Sequence, residues 1–289
     1  RSDTYPPIAG RWKVRFSRSD EPAVGIFDQR PDGAVEGTFL TTTGDYRFLA
    51  GRYEAGRLRL SCFDGAHAFL FDASIQPDGS LMGDFQSRDT WHETWTATRD
   101  DKVALPDGFK LSRATDRPSL ENLKFRDLSG TLRSPADAAF AGTVRIIEVF
   151  GSWCPNCHDA SAYLSELDHK YRDRGLSILG LAFEVTGDFE RDARQVRRFI
   201  RRHGIEFPVL LAGLSDKKEA SKALPFLDQV RAYPTTLFLK ADGTIQAVYT
   251  GFSGPATGEE YQGLRRKFEK LIETMLTDPL KKEPEVRKG

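Results

Sequence analysis

The sequence predicts an all-β amino-terminal domain, an antiparallel meander closed as a barrel or folded as a sandwich, followed by an α/β domain. Three observations carry this. Apolar and polar residues alternate with period two through residues 9–99. Turn signals punctuate that stretch, and no helical periodicity interrupts it. From about residue 119 onward, continuous apolar strands alternate with helical segments.

In the first stretch, Trp12, Val14 and Phe16 alternate with Lys13 and Arg15, and Leu58, Leu60 and Cys62 alternate with Arg59 and Ser61. Trp91 and Trp95 share a face opposite His92, Thr94 and Thr96. Such alternation marks half-buried strands. Turns at Pro31-Asp32-Gly33, Asp64-Gly65 and Pro77-Asp78-Gly79 separate about seven or eight of them. Trp12, Phe16, Phe39, Phe48, Phe69, Phe71, Trp91 and Trp95 read as core, and Cys62 as a buried strand cysteine. Residues 1–105 are assigned to this domain. Residues 106–118, which contain Pro106, Gly108 and Pro118, are assigned to a linker.

The α/β domain is placed at residues 119–278. Thr143 to Gly151 is nearly continuous apolar sequence, as expected of a central strand covered on both faces. A helix follows over Pro155 to Arg174, then a buried strand over Leu176 to Glu184. Phe189 to His203 is a basic amphipathic helix with the stripe Ala193, Val196, Phe199 and Ile200. Its arginines, Arg191, Arg194, Arg197, Arg198, Arg201 and Arg202, read as the solvated face. A strand over Phe207 to Ala212 and a helix over Lys217 to Leu224 come next. Thr235 to Lys240 and Thr244 to Thr250 form a hairpin across Asp242-Gly243, and Glu259 to Leu276 a closing helix. Residues 279–289 read as a charged, mobile tail.

The chain has 289 residues, with 42 basic and 42 acidic side chains and no net charge. That balance argues against a nucleic-acid or anionic-membrane surface. No apolar run reaches the roughly 18–20 residues that span a bilayer. The chain starts Arg1-Ser2-Asp3, without an initiator Met or an apolar signal-like run. It reads as a processed or trimmed product, which leaves room for a removed targeting segment.

Two of the three cysteines form Cys154-Pro155-Asn156-Cys157, where a buried strand turns into a helix. A cysteine at a helix N-terminus faces unpaired N–H groups and the positive end of the dipole, so its thiolate is stabilised. Thiolate is the attacking species in disulfide exchange. Pro155 suits the first helical turn because it has no N–H to leave unpaired. Cys154 is therefore assigned as the nucleophile. Cys157, one turn later on the same face, is the resolving thiol.

The run Phe150-Gly151-Ser152-Trp153-Cys154-Pro155-Asn156-Cys157 resembles the active-site segment of the thioredoxin superfamily, most closely the TlpA/ResA-like branch of thiol–disulfide oxidoreductases. Tyr233-Pro234-Thr235-Thr236 resembles that superfamily's cis-proline loop, and Thr250-Gly251-Phe252-Ser253-Gly254-Pro255 also looks like the branch. The resemblance spans about residues 119–278. It implies a thioredoxin fold with an extra helix and strand near Phe189 to Ala212. It implies that Glu148, six positions before Cys154, is a buried acid that deprotonates Cys157, and that Pro234 is cis and faces the disulfide. Trp153, Pro155, Tyr233, Pro234 and Thr235 would contact substrate. The redox pair would need no metal and no organic cofactor. The substrates would be oxidised or reduced proteins, and the electron donor a membrane-embedded thiol reductase. The setting would be extracytoplasmic, in the periplasm or tethered to a membrane facing it, and the role more often reducing. Between the cysteines stands Pro-Asn where plain thioredoxin has Gly-Pro, which leaves the direction of reaction open.

Other readings have less support. Cys154 to His158 also spells C-x-x-C-H, a c-type haem attachment pattern. The motif follows a buried strand, however, and an intense Soret band would be needed to establish a haem. A structural zinc needs four ligands, and one C-x-x-C pair with distant His169 does not supply them. A peroxiredoxin would carry Pro and Thr or Ser where Ile147 and Gly151 stand. A binding module, with the β domain capturing a ligand or partner, is the alternative from another functional class. His158 reads as a solvent-facing helix residue.

Overall fold

The structure is a computed structural model and describes residues 5–63, 67–114 and 120–277. The predicted Asp64-Gly65 turn, residues 115–118 of the predicted linker and the predicted tail lie outside the described residues. Two compact units emerge: the chain up to Asp107 together with Phe252–Gln262, and Gly108–Gly251 together with the chain from Gly263 onward.

The first unit is built from β1 (Gly10–Phe16), β2 (Ala23–Gln29), β3 (Ala34–Thr41), β4 (Gly44–Asp45), β5 (Leu49–Glu54), β6 (Arg57–Phe63), β7 (Ala68–Ile75), β8 (Leu81–Ser87) and β9 (Trp91–Arg99). Every neighbouring pair is antiparallel. β9 pairs back onto β1, and β2 also pairs with β3. Setting aside the two-residue β4, which extends the β3 hairpin, the strands form a closed up-and-down ring. Closure removes the exposed sheet edges that would otherwise invite pairing with other chains. A Cβ at Gly51 would sit 1.9 Å from the Arg59 carbonyl oxygen, so the close approach of β5 and β6 requires glycine there.

Aromatic rings fill the barrel interior. Phe39 stacks on Phe71 at 4.3 Å, Phe71 on Phe85 at 4.4 Å, and Trp95 meets Phe39 edge-on at 5.0 Å. Trp12, Phe16, Phe39, Phe71 and Trp95 are buried as predicted. Phe48, Phe69 and Trp91 are not core residues. Phe48 is 66% exposed in the turn before β5, Phe69 is half-buried, and Trp91 is 44% exposed at the first position of β9. Trp91 does keep the inward parity of Trp95, but it lies at the end of the strand. There Arg18 covers its ring at 4.8 Å, and its indole N–H donates to Glu93. Cys62 is half-buried against the core rather than enclosed by it.

Phe252–Gln262 groups with this barrel. Asp45, almost fully buried, accepts the backbone N–H groups of Gly254 (2.6 Å) and Arg47 (2.7 Å). Burial drives its carboxyl above the usual aspartate range.

The second unit contains β10 (Phe125–Asp127), β11 (Leu132–Arg133), β12 (Val144–Phe150), α1 (Pro155–Tyr171), β13 (Leu176–Glu184), α2 (Phe189–His203), β14 (Val209–Leu214), α3 (Lys217–Ala223), β15 (Thr235–Lys240), β16 (Ile245–Thr250) and α4 (Glu259–Thr277), whose first turn groups with the barrel. The sheet order is β11-β10-β14-β13-β12-β15-β16. β12, β13 and β14 are parallel, and β15 runs antiparallel to β12. This is a thioredoxin fold. The central strands β12 and β13 are buried along nearly their whole length, which explains their unbroken apolar sequence. The unit already begins at Gly108. Phe109 packs edge-on against Tyr249 at 4.9 Å, Ser112 accepts a hydrogen bond from Thr250, and Ala114 bridges Leu227.

Candidate active site at the end of the central strand

β12 ends at Phe150, and the chain turns through Gly151, Ser152 and Trp153 into α1. The Trp153 indole folds back so that its N–H donates to the Phe183 carbonyl at 2.9 Å. A Cβ at Gly151 would lie 2.3 Å from that indole nitrogen and 2.9 Å from the Phe183 carbonyl oxygen. Only glycine fits the turn in this packing.

Cys154 is the N-cap of α1 and Pro155 its first residue. The Cys154 sulfur accepts the Cys157 backbone N–H at 3.3 Å, so it occupies the anion-favouring end of the helix. Cys154 and Cys157 form a disulfide, with Cα atoms 5.3 Å apart. Cys154 is 4% exposed and Cys157 is fully buried, so an incoming sulfur can approach only the first of the pair. Cys154 Sγ also lies 3.3 Å from the Tyr233 carbonyl oxygen. The Tyr233–Pro234 peptide bond is cis. The Tyr233 ring meets Trp153 at 5.5 Å, and its hydroxyl is buried without a hydrogen-bond partner among the described residues. Pro234 and Thr235 are buried beside it, and the Thr235 hydroxyl donates to the Ala232 carbonyl. Trp153, at 37% exposure, is the large apolar side chain of this cluster that faces solvent.

Glu148 is fully buried on β12. Both of its carboxylate oxygens lie 2.9 Å from the Ser161 hydroxyl, and Ser161 sits one turn beyond Cys157 on α1. Burial pushes the carboxyl from 4.5 to about 8, while the Ser161 hydrogen bond pulls the other way.

A second buried acid was not recognised from the sequence. Glu184, the last residue of β13, accepts the Ser152 backbone N–H at 2.8 Å and the Ser152 hydroxyl at 2.7 Å. It is 3% exposed, and burial raises its carboxyl to about 7. Its place at the end of the apolar run of β13 was the available signal, but a carboxylate at a strand end ordinarily reads as solvated. His158 departs from expectation too. It is half-buried, its Nδ1 lies 2.6 Å from His203 Nε2, and its ring packs on Phe199 at 4.8 Å. The apolar side of α2 reaches across to α1 and takes His158 with it. Of the predicted α2 stripe, Ala193, Val196 and Phe199 are buried and Ile200 is half-buried, while Arg197, read as solvated, is half-buried and donates to the Leu128 carbonyl.

Residues 119–248 match the model of the AhpC/TSA family. The thiol-disulfide oxidoreductase ResA of Halalkalibacterium halodurans is 25% identical over 120 residues, which cover 41% of this chain and 60% of the relative. ResA of Bacillus thuringiensis (strain Al Hakam) is also 25% identical, over 146 residues covering 50% of this chain and 74% of the relative. The second half of the chain thus has a thioredoxin fold and is similar to the AhpC/TSA family and to ResA proteins. The chain spans less than two thirds of the first of these relatives. A solved thiol:disulfide interchange protein of the thioredoxin family, from Chlorobium tepidum TLS, aligns at 20% identity with a TM-score of 0.41, covering 57% of this chain and 97% of its own. The family match lies within the second unit, and the barrel stands outside it.

Proposed function

We propose that this chain, a thiol–disulfide oxidoreductase by its cysteine pair and its relatives, exchanges disulfides with other proteins and works chiefly as a reductase. In the reduced enzyme, the Cys154 thiolate attacks one sulfur of a substrate disulfide. That bond breaks, a mixed disulfide forms, and the departing sulfur leaves as a thiolate that takes up a proton. Cys157 then gives its proton to the Glu148 carboxylate and attacks Cys154 Sγ. The Cys154–Cys157 bond forms, the second substrate thiolate leaves and is protonated, and two electrons have passed to the substrate. A carboxyl with a midpoint near 8 can take and return a proton close to neutral pH. Trp153 and Pro155 would border the incoming chain, and the Tyr233–Thr235 loop would pair with it as an extended strand.

The observation that carries this reading is the position of Cys154: its sulfur caps α1, is bonded to Cys157, and is the more exposed of the pair. The cycle needs no metal or organic cofactor. By resemblance to the TlpA/ResA-like branch, the setting is extracytoplasmic and the electron donor a membrane-embedded thiol reductase. Among the described residues no helix is long and apolar enough to cross a membrane. A peroxidase reading is disfavoured because a Ser or Thr at position 151 would overlap the Trp153 indole. Insulin-disulfide reduction tests the proposal. Cys154→Ser should abolish turnover, whereas Cys157→Ser should accumulate mixed disulfides through Cys154. Full activity of Cys154→Ser would sink the mechanism.

A further inference from the structure

We propose that Glu184 is a positioning residue for Cys154: its carboxylate clamps the Ser152–Trp153 loop to the end of β13 and so sets how readily the Cys154 sulfur ionises and exchanges. The inference rests on the reading of Cys154–Cys157 as the redox pair. Only three residues separate the end of β12 from Cys154, and two of them are hydrogen-bonded to the adjacent strand. Ser152 is held by two hydrogen bonds to Glu184 and Trp153 by its indole bond to the Phe183 carbonyl, while the packing leaves no room for a side chain at Gly151. Glu184 is itself fixed at the main chain, where its carbonyl accepts the Ser215 N–H at 2.7 Å.

A buried carboxylate is a costly way to hold a serine, because an amide oxygen would accept from it without the desolvation of a charge. What the carboxylate adds is a separate oxygen for each Ser152 donor and a negative charge bonded to Ser152, two residues before the nucleophile. That charge opposes formation of a second anion on Cys154, partly offsetting the stabilisation from the N-terminus of α1. The ionisable group facing Glu184 from α2 is Asp192, also buried, which accepts hydrogen bonds from the Thr186 hydroxyl and the Gly187 N–H. Its charge raises the Glu184 carboxyl further, in the same direction as burial.

The test uses the full chain with Glu184→Gln, Ser152→Ala and the double variant. The readouts are the pH midpoint of thiolate absorbance in the reduced protein, the exchange equilibrium with glutathione, and melting of the oxidised protein. Glu184→Gln should lower the thiolate midpoint and change the glutathione equilibrium constant at least threefold while the protein stays folded. Ser152→Ala should slow insulin reduction at least threefold. The double variant should be little worse than the more impaired single, because both cut one contact. A thiolate midpoint and glutathione equilibrium unchanged in Glu184→Gln, with only the melting temperature moved, would reduce Glu184 to a structural role. So would full additivity of the two changes. If Glu184→Gln fails to fold, Ser152→Ala probes the same contact from the less buried side, and a glutathione equilibrium equal to wild type in that variant would overturn the proposal. Failure of the wild-type chain to reduce insulin would count instead against the proposed protein substrates, because the thiolate and glutathione readouts do not depend on them.

Discussion

Replacing Glu148 with Gln should make the oxidised protein progressively more stable than wild type as pH rises. The Glu148 carboxyl moves from 4.5 to about 8 on folding because it is fully buried. Between those values the folded state holds a proton that the unfolded state has released, so unfolding becomes easier as pH increases. The stability tied to the protonated carboxyl is complete below pH 4.5 and is lost as pH climbs through 8. At about 1.4 kcal/mol per pH unit, the wild type should lose about 4 kcal/mol relative to the variant between roughly pH 5 and pH 9. Gln is nearly isosteric and keeps an oxygen to accept from Ser161, so packing is conserved and the difference isolates the charge. Urea unfolding of both oxidised proteins at pH 5, 7 and 9 measures it, and the disulfide keeps Cys154 and Cys157 from titrating. A stability gap that stays constant across that range would refute a buried, proton-binding Glu148 and with it the proposed route for the Cys157 proton.

Ser161→Ala should push the Glu148 midpoint above its present value, since the lost hydrogen bond favours the ionised form; the pH profile of insulin reduction should shift upward. Phe39→Ala should remove a ring packed between Phe71, Trp95 and Phe27 and cost about 3–5 kcal/mol in urea unfolding. Asp45→Ala leaves the buried Gly254 N–H and the half-buried Arg47 N–H without their acceptor, so it should cost about 1–3 kcal/mol. It should also speed hydrogen exchange at Gly254, and unchanged exchange there would show that the contact does not hold Phe252–Gln262 on the barrel.

The thioredoxin-like half was legible in the sequence because its signals are local. Buried central strands need unbroken apolar runs, so β12 and β13 appear directly in the residues. The cysteine pair declares itself by spacing and by the junction it occupies. The barrel strands were also visible, but their closure was not. Alternation shows which residues face inward, whereas the β1–β9 pairing that seals the ring joins segments about eighty residues apart. The hairpin of β10 and β11 was missed because three and two residues are too few to show a period. Phe48 and Trp91 were misread as core because hydrophobicity does not reveal that a residue lies just before a strand or at its first position. Glu184, His158 and the grouping of Phe252–Gln262 with the barrel are all tertiary: each depends on a partner far away in the sequence, Ser152, His203 and Asp45 respectively.

The most direct test of the account is the reduction potential of the Cys154–Cys157 couple in the full chain, titrated against glutathione redox buffers. A reversible two-electron transition near thioredoxin's roughly −270 mV is the expected result for a protein that reduces disulfides. A couple poised near roughly −120 mV would contradict the reductase direction, and a pair that never cycles would contradict the whole reading of the site.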